Sequence, residues 1–174
     1  MGDIFVDCEW TSDNKTRVIG AYSPGQGRFQ LYGKDLIRKR AHYEFSRFLN
    51  HCSKRCSSRD ILLFSHHGVD ISRIEKVCGL KLRTYYYCIN TVTVFKRLAR
   101  FRTARLEHLE KHFRLPRIHD KMNSFDVDSY WFTDPQKVLD YNWEDCLNLW
   151  RLVNILKTEY QIARSDFRSI CMSP

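Results

Sequence analysis

Ile4-Phe5-Val6-Asp7-Cys8-Glu9-Trp10 opens with three residues of high β propensity and closes on two carboxylates two positions apart. A strand sends alternate side chains to opposite faces, so Asp7 and Glu9 leave it on the same side and share one small volume. Carboxylates so placed repel each other unless one is protonated or a cation neutralises them. Hard oxygen donors of this kind suit Mg²⁺ or Mn²⁺. Acidic pairs at strand ends are common, so the pair gains meaning only if the fold brings further carboxylates to it.

Working outward, Lys15 to Ser23 and Gly27 to Gly33 each read as a strand around the turn-forming Ser23-Pro24-Gly25-Gln26-Gly27, a hairpin that follows the first strand directly. From Lys34 to about Cys52, the residues Leu36, Ile37, Ala41, Phe45, Phe48 and Leu49 recur at helical spacing. Cys52 to Arg59 is polar and reads as a loop. Asp60-Ile61-Leu62-Leu63-Phe64-Ser65 is a short continuous apolar run, the pattern of a strand buried on both faces. His66-His67-Gly68-Val69-Asp70 follows, then a helical spacing of Ile71, Ile74, Val77 and Cys78 that ends at Gly79. Leu80 to Asn90 reads as another strand, Thr91 to Phe113 as two short helices, and Asn123 to Thr133 as irregular. Asp134-Pro135 has the form of an N-cap and an N1 proline opening a long helix through Val138, Leu139, Leu147, Leu149, Leu152, Ile155 and Leu156. The expected architecture is α/β: a mixed β-sheet of three antiparallel strands followed by parallel strands, flanked by helices, in one domain over residues 1–174.

The hydrophobic share of 43% with 14% aromatics argues against disorder. No apolar run approaches the roughly 20 residues of a membrane-spanning helix, and Met1-Gly2-Asp3 does not start a basic-then-apolar leader. The seven cysteines are odd in number and unevenly spaced, which points to reduced thiols inside the cell, in the cytoplasm or near a nucleoid. His51-Cys52-x3-Cys56 with His66 and His67, and His108-x3-His112, lack the paired C-x2-C spacing of a zinc site; buried thiols and surface histidines are the preferred reading. A net charge of +9 and a pI near 9.3 imply an anionic partner, most simply nucleic acid. The cations concentrate between Thr91 and Arg117: Lys96, Arg97, Arg100, Arg102, Arg105, Lys111, Arg114 and Arg117, against Glu107 and Glu110. Phe95, Phe101 and Phe113, interleaved among them, read as the core-facing stripe of amphipathic helices rather than as stacking platforms.

In a sheet of this order, functional residues gather at the C-terminal edges of strands and on the helices that cross them. Asp70 follows a buried strand. Tyr141 and Asp145 are four residues apart and share one helix face. Phe5-Val6-Asp7-Cys8-Glu9, Ser65-His66-His67-Gly68-Val69-Asp70 and Tyr141-Asn142-Trp143-Glu144-Asp145, in this order, resemble the three motifs of the DEDD superfamily of 3′–5′ exonucleases, in the subgroup with a tyrosine in its third motif. The helix from Arg105 to Phe113 resembles the one preceding that motif, so the resemblance runs from about Ile4 to Leu156.

The resemblance implies a ribonuclease H-like fold in which Asp7, Glu9, Asp70 and Asp145 hold two divalent cations, Mg²⁺ or Mn²⁺. Asp7 and Glu9 would bind together with Asp7 bridging, Asp145 would complete the first ion's shell, and Asp70 would act partly through water. Tyr141, with an ordinary pKa near 10, would orient the attacking water. The sequence departs from the family after Glu9, where Trp10 replaces a threonine, and before Gly68, where His67 replaces an asparagine. Trp10 either stacks on a base or packs against the hairpin, and His67 either meets phosphate, the preferred reading, or only fills space. The implied activity is phosphodiester hydrolysis from single-stranded 3′ ends of DNA or RNA, with the strand's phosphates held by the basic region from Lys96 to Arg117, Lys96, Arg97, Arg100, Arg102 and Arg105 above all. Two alternatives stand beside it: internal cleavage by a ribonuclease H-like endonuclease, and a binding module without catalysis.

Overall fold

The computed structural model describes residues 2–54, 57, 60–117 and 122–172. β1 (Ile4–Trp10), β2 (Thr16–Ser23) and β3 (Gly27–Tyr32) form an antiparallel meander. The β2–β3 turn closes on Gly27, whose φ of 79° suits a residue without a side chain. A 3-10 turn over Gly33–Leu36 leads into α1 (Arg38–Ser53). β4 (Leu62–Ser65) then pairs parallel with β1, and β5 (Tyr87–Asn90) parallel with β4, giving the order β3-β2-β1-β4-β5.

β1 is central and buried on both faces. Ile4, Val6 and Cys8 face a core built with α1 and with α2 (Gly68–Cys78), while Phe5 faces the other core, which contains Leu149, Leu152, Val153 and Leu156. These four belong to α7 (Pro135–Thr158), opened by Asp134, whose side chain accepts from the Lys137 amide, and by Pro135 at its first position. Period-two alternation therefore sends Asp7 and Glu9 toward α7 and Trp10 toward α2.

Several segments differ from the sequence reading. Only four residues of Leu80 to Asn90 are strand, because β4 offers only four pairing positions; Leu82–Tyr85 forms the short helix α3, which buries Leu82 and leaves Tyr85 exposed. α4 (Thr91–Arg97) and α5 (Leu106–His112) are the two short helices expected of the basic region, and Phe95 is fully buried with Phe101 and Phe113 packed against the same core. Asn123 to Thr133 is ordered, as a 3-10 turn over Ser124–Asp126 and then α6 (Val127–Thr133). The Asn123 side chain accepts from the Phe125 amide at 2.9 Å, and Asp126 accepts from the Asn123 amide at 2.9 Å, a reciprocal cap. One more helix, α8 (Arg164–Ser169), buries Phe167, and its Asp166 accepts from the Ala163 amide at 2.8 Å. Cys56 lies outside the described residues. No helix among the described residues is long and apolar enough to cross a membrane.

Candidate metal centre

Asp7, Gly20 and Gln30 stand opposite one another on β1, β2 and β3 and make a row across the sheet. Gly20 leaves a gap in that row. Asn142 of α7, fully buried, occupies it: its Nδ2 donates to Asp7 Oδ2 at 2.8 Å, and its Oδ1 accepts from Gln30 Nε2 at 3.0 Å. A Cβ at position 20 would lie 2.1 Å from Asn142 Oδ1, so only glycine permits this approach. The sheet register and α7 together fix the orientation of the first-strand aspartate.

Asp145 sits one helical turn beyond Tyr141 on the same face of α7, and both are buried. Asp7, Glu9 and Asp145 each offer a carboxylate oxygen, and these oxygens all lie within 4.8 Å of one another. Asp70, in the first turn of α2, is buried close by; its Oδ2 accepts from the His67 amide at 3.2 Å, and Cys8 Sγ approaches its carbonyl at 3.7 Å. β1, α2 and α7 thus bring all four acidic residues to one region, three in ligand contact distance and Asp70 beside them.

Their electrostatics are those of a crowded acidic pocket. Burial, then Asp7 and Asp145, pushes the Glu9 carboxyl well above its ordinary value, and burial, then Asp7, does the same to Asp70 and Asp145. Asp7 also rises through burial, restrained by hydrogen bonds with Glu9 and Asn142. Burial and then Asp145 raise the Tyr141 phenol, so its hydroxyl keeps its proton.

Arg117 is the counterion. Its Nη2 donates to Asp145 and, at 2.9 Å, to Glu110, its Nε donates to Glu110 at 3.0 Å, and its guanidinium lies 4.9 Å from the Tyr141 ring centre. Glu110 also accepts from Asn148 Nδ2 at 2.8 Å. Burial opposes the charge on Arg117, but Asp145 and Glu110 hold it firmly protonated. The sequence reading placed Arg117 at the end of a phosphate-gripping region; the structure instead buries it between two carboxylates, where it orients Asp145.

Fully ionised, Asp7, Glu9, Asp70 and Asp145 carry −4 and the Glu110–Arg117 pair adds no net charge among the described residues; burial and mutual repulsion favour protons on these carboxyls unless a cation takes their place. Hard oxygen donors with uncompensated like charge are a fitting environment for divalent cations. The four carboxylates would hold such ions, with Asp145 offering the oxygen that Arg117 leaves free.

Trp10 is half-buried and stacks under Arg73 of α2, whose guanidinium lies 4.0 Å from the ring centre. His67 precedes α2 with its ring 4.6 Å from that of His66; partial burial of the imidazole and then the charge of Lys96 lower its pKa. Lys96, Arg97, Arg100, Arg102 and Arg105 are all exposed, and no ion pair occupies them among the described residues.

Asn142, Gly20, Gln30, Arg117 and Glu110 are parts of the site that the sequence reading did not single out. Asn142 carried a usable signal. It interrupts the buried apolar positions Val138, Tyr141, Leu149 and Leu152 of α7, and a buried amide needs partners.

A family model described as the RNase_H superfamily matches residues 4–157. The family B DNA polymerase from the hyperthermophilic archaeon Pyrobaculum calidifontis has a similar structure, with a TM-score of 0.67 and 12% identity; the match covers 90% of this chain and 24% of that one. The chain therefore spans about a quarter of the polymerase's length. No curated protein sequence matches it.

Proposed function

The chain belongs to the RNase H superfamily, and from that premise we propose that it is a metal-dependent nuclease that removes nucleotides from the 3′ ends of single strands. One observation carries this reading: Asp7 and Glu9 of β1, Asp70 of α2, and Tyr141 with Asp145 of α7 converge on one pocket whose acids outnumber the cations that meet them among the described residues.

Asp7, Glu9, Asp70 and Asp145 would hold two divalent cations, Mg²⁺ or Mn²⁺. When bound, these would supply an activated water and stabilise the leaving oxygen. Asn142 keeps Asp7 turned toward the pocket, and Arg117 keeps Asp145 turned toward it. Tyr141, protonated, donates to the attacking water and sets its line of approach to phosphorus. Hydrolysis forms one phosphorus–oxygen bond to that water, breaks the bond to the neighbouring nucleotide's 3′ oxygen, and leaves the proton on that oxygen. The exposed cations from Lys96 to Arg105 beside His67 offer the strand's phosphates a surface, and a base can lie against Trp10. The subgroup with a tyrosine in its third motif is the fitting assignment. The domain would span residues 1–174 and work in a reducing compartment inside the cell, which accords with buried thiols at Cys8, Cys78, Cys88 and Cys146.

The test is incubation of the purified protein with 5′-labelled single strands of DNA and of RNA, with Mn²⁺ or Mg²⁺. A ladder of one-nucleotide steps is the expected result. Internal fragments replace this reading with an endonuclease, and intact but bound strands replace it with a binding module.

A further inference from the structure

Arg73, whose guanidinium lies over the Trp10 ring, lines a second concavity of about 330 Å³ together with Asn14, Lys15, Arg17, Lys76 and Trp131 among others. This concavity and the carboxylate pocket share elements. Trp10 follows Glu9 across an irregularity in β1, and Arg73 lies one turn beyond Asp70 on α2. The sheet order puts this concavity on the β2 side of β1 and the exposed cations of α4 on the β5 side, so the acidic pocket lies between two basic surfaces.

Four cations line the concavity, and among the described residues the carboxylate paired with any of them is Asp13, which meets Lys15 at 3.2 Å and Arg17 at 3.1 Å. Arg73 is pre-organised: it stacks on Trp10, its Nη2 donates to Asn14 Oδ1 at 2.6 Å and its Nη1 to the Asn14 carbonyl at 3.4 Å, yet it makes no ion pair among the described residues. Asn14 holds that position from a left-handed backbone, φ 63°, at the tip of the β1–β2 connection. Fixing an arginine this way, beside a lysine one turn on and an indole across from it, makes a planar donor set ready for an anion, with aromatic surface next to it.

We propose that this concavity binds a backbone phosphate of the same nucleic acid whose scissile group lies at the carboxylates, through Arg73 and Lys76 with Lys15 at its rim. Asp70 and Arg73 then act from one face of α2 on neighbouring phosphates, one through the acidic pocket and one by direct donation. This rests on the reading of the chain as acting on nucleic acid.

The test measures binding rather than cleavage, so its failure is separate from failure of the nuclease reading. Labelled single strands of increasing length are titrated across a salt series in an Asp7→Asn background, with Arg73→Gln, Lys76→Gln and Lys15→Gln introduced singly. Lys76 and Lys15 are exposed, so their removal leaves the fold intact even if Arg73→Gln disturbs Trp10. Each lost contact should make the slope of log affinity against log salt shallower by about 0.7, which weakens binding about fivefold at about 0.1 M salt. The loss should appear with longer strands and be absent with a mononucleotide, while Arg47→Gln, an exposed site on α1 outside the concavity, should change neither quantity. Unchanged slopes for Arg73→Gln and Lys76→Gln would overturn the proposal. So would an equal loss for Arg47→Gln, or a loss as large with a mononucleotide, which would mark a free-nucleotide site instead.

Discussion

Gly20→Ala places one methyl group where Asn142 holds Asp7. The new Cβ would stand 2.1 Å from Asn142 Oδ1, 2.9 Å from its Cγ and 3.0 Å from Cys146 Sγ. Ordinary contact needs about 3.5 Å, so α7 or the Asn142 side chain must retreat by more than about 1 Å. Asn142 is fully buried and tied to Gln30, and its 2.8 Å bond to Asp7 cannot survive such a shift. Overpacking of this kind costs about 1–3 kcal/mol of stability. Losing the partner that orients a metal-binding carboxylate lowers metal affinity about 10- to 100-fold, or about 1.4–2.7 kcal/mol. Calorimetric Mn²⁺ titration of Gly20→Ala, Asn142→Ala and the double variant separates the two costs. Both single variants should lose metal affinity, and the double variant should lose little more than Asn142→Ala alone, because both act through one bond. Unchanged metal affinity in Gly20→Ala, or losses that simply add, would refute the argument.

Arg117→Met strands Glu110 and Asp145 without their shared cation; it should destabilise the metal-free protein by about 3–5 kcal/mol. At about 2–4 °C per kcal/mol for a chain of this size, that is a fall of about 6–20 °C in Tm. Mn²⁺ should restore part of this by giving Asp145 a cation again, and a metal-free Tm equal to that of the unmodified protein would contradict the buried pairing. His66 is buried, with Nδ1 at 3.1 Å from Thr91 Oγ1, and burial lowers its pKa to about 3 from an ordinary 6.5. Because the unfolded chain takes up the proton first, stability is full above pH 6.5 and declines as pH falls toward 3, by about 1.4 kcal/mol at about pH 5.5. Denaturant titrations at several pH values should show His66→Phe relieved of this part of the acid sensitivity. The acidic cluster has the opposite sign. Glu9, Asp70 and Asp145 are raised above their unfolded values, so in EDTA their contribution favours folding at low pH and is lost as pH rises through the folded values. Mn²⁺ should therefore raise Tm more at pH 8 than at pH 5, and an equal increment at both would count against the cluster as its ligand.

The sheet was legible because its signals are local: Ile4-Phe5-Val6 and Leu62-Leu63-Phe64 are dense in β-formers and apolar residues, and Ser23 to Gly27 announces a turn. Asp134-Pro135 likewise announced α7 in the place it begins. The helices that the sequence did not announce are held by tertiary contacts. α6, read as irregular, lacks a regular apolar stripe and is secured through Trp131, which meets Arg17 of β2, and through Tyr130, which meets Lys137, while α8, outside the sequence reading, depends on burying Phe167. The same division runs through the site. Asp7 with Glu9 and Tyr141 with Asp145 stood out by spacing, Asp70 by its place after a buried strand, and the five together by the resemblance of their motifs, whereas Arg117 finds its partners 7 residues before and 28 residues after it, which no local pattern encodes. Gly20 matters only through its place between Asp7 and Gln30 in the sheet row.

The central claim is that acids from β1, α2 and α7 act together as one seat for metal. Electron paramagnetic resonance of the metal-free protein titrated with Mn²⁺ measures this directly. The account predicts two ions per chain with the magnetic coupling of neighbouring sites, and loss of that coupled signal in both Asp7→Asn and Asp145→Asn. A protein that binds no Mn²⁺, or whose binding is untouched by both substitutions, would contradict it.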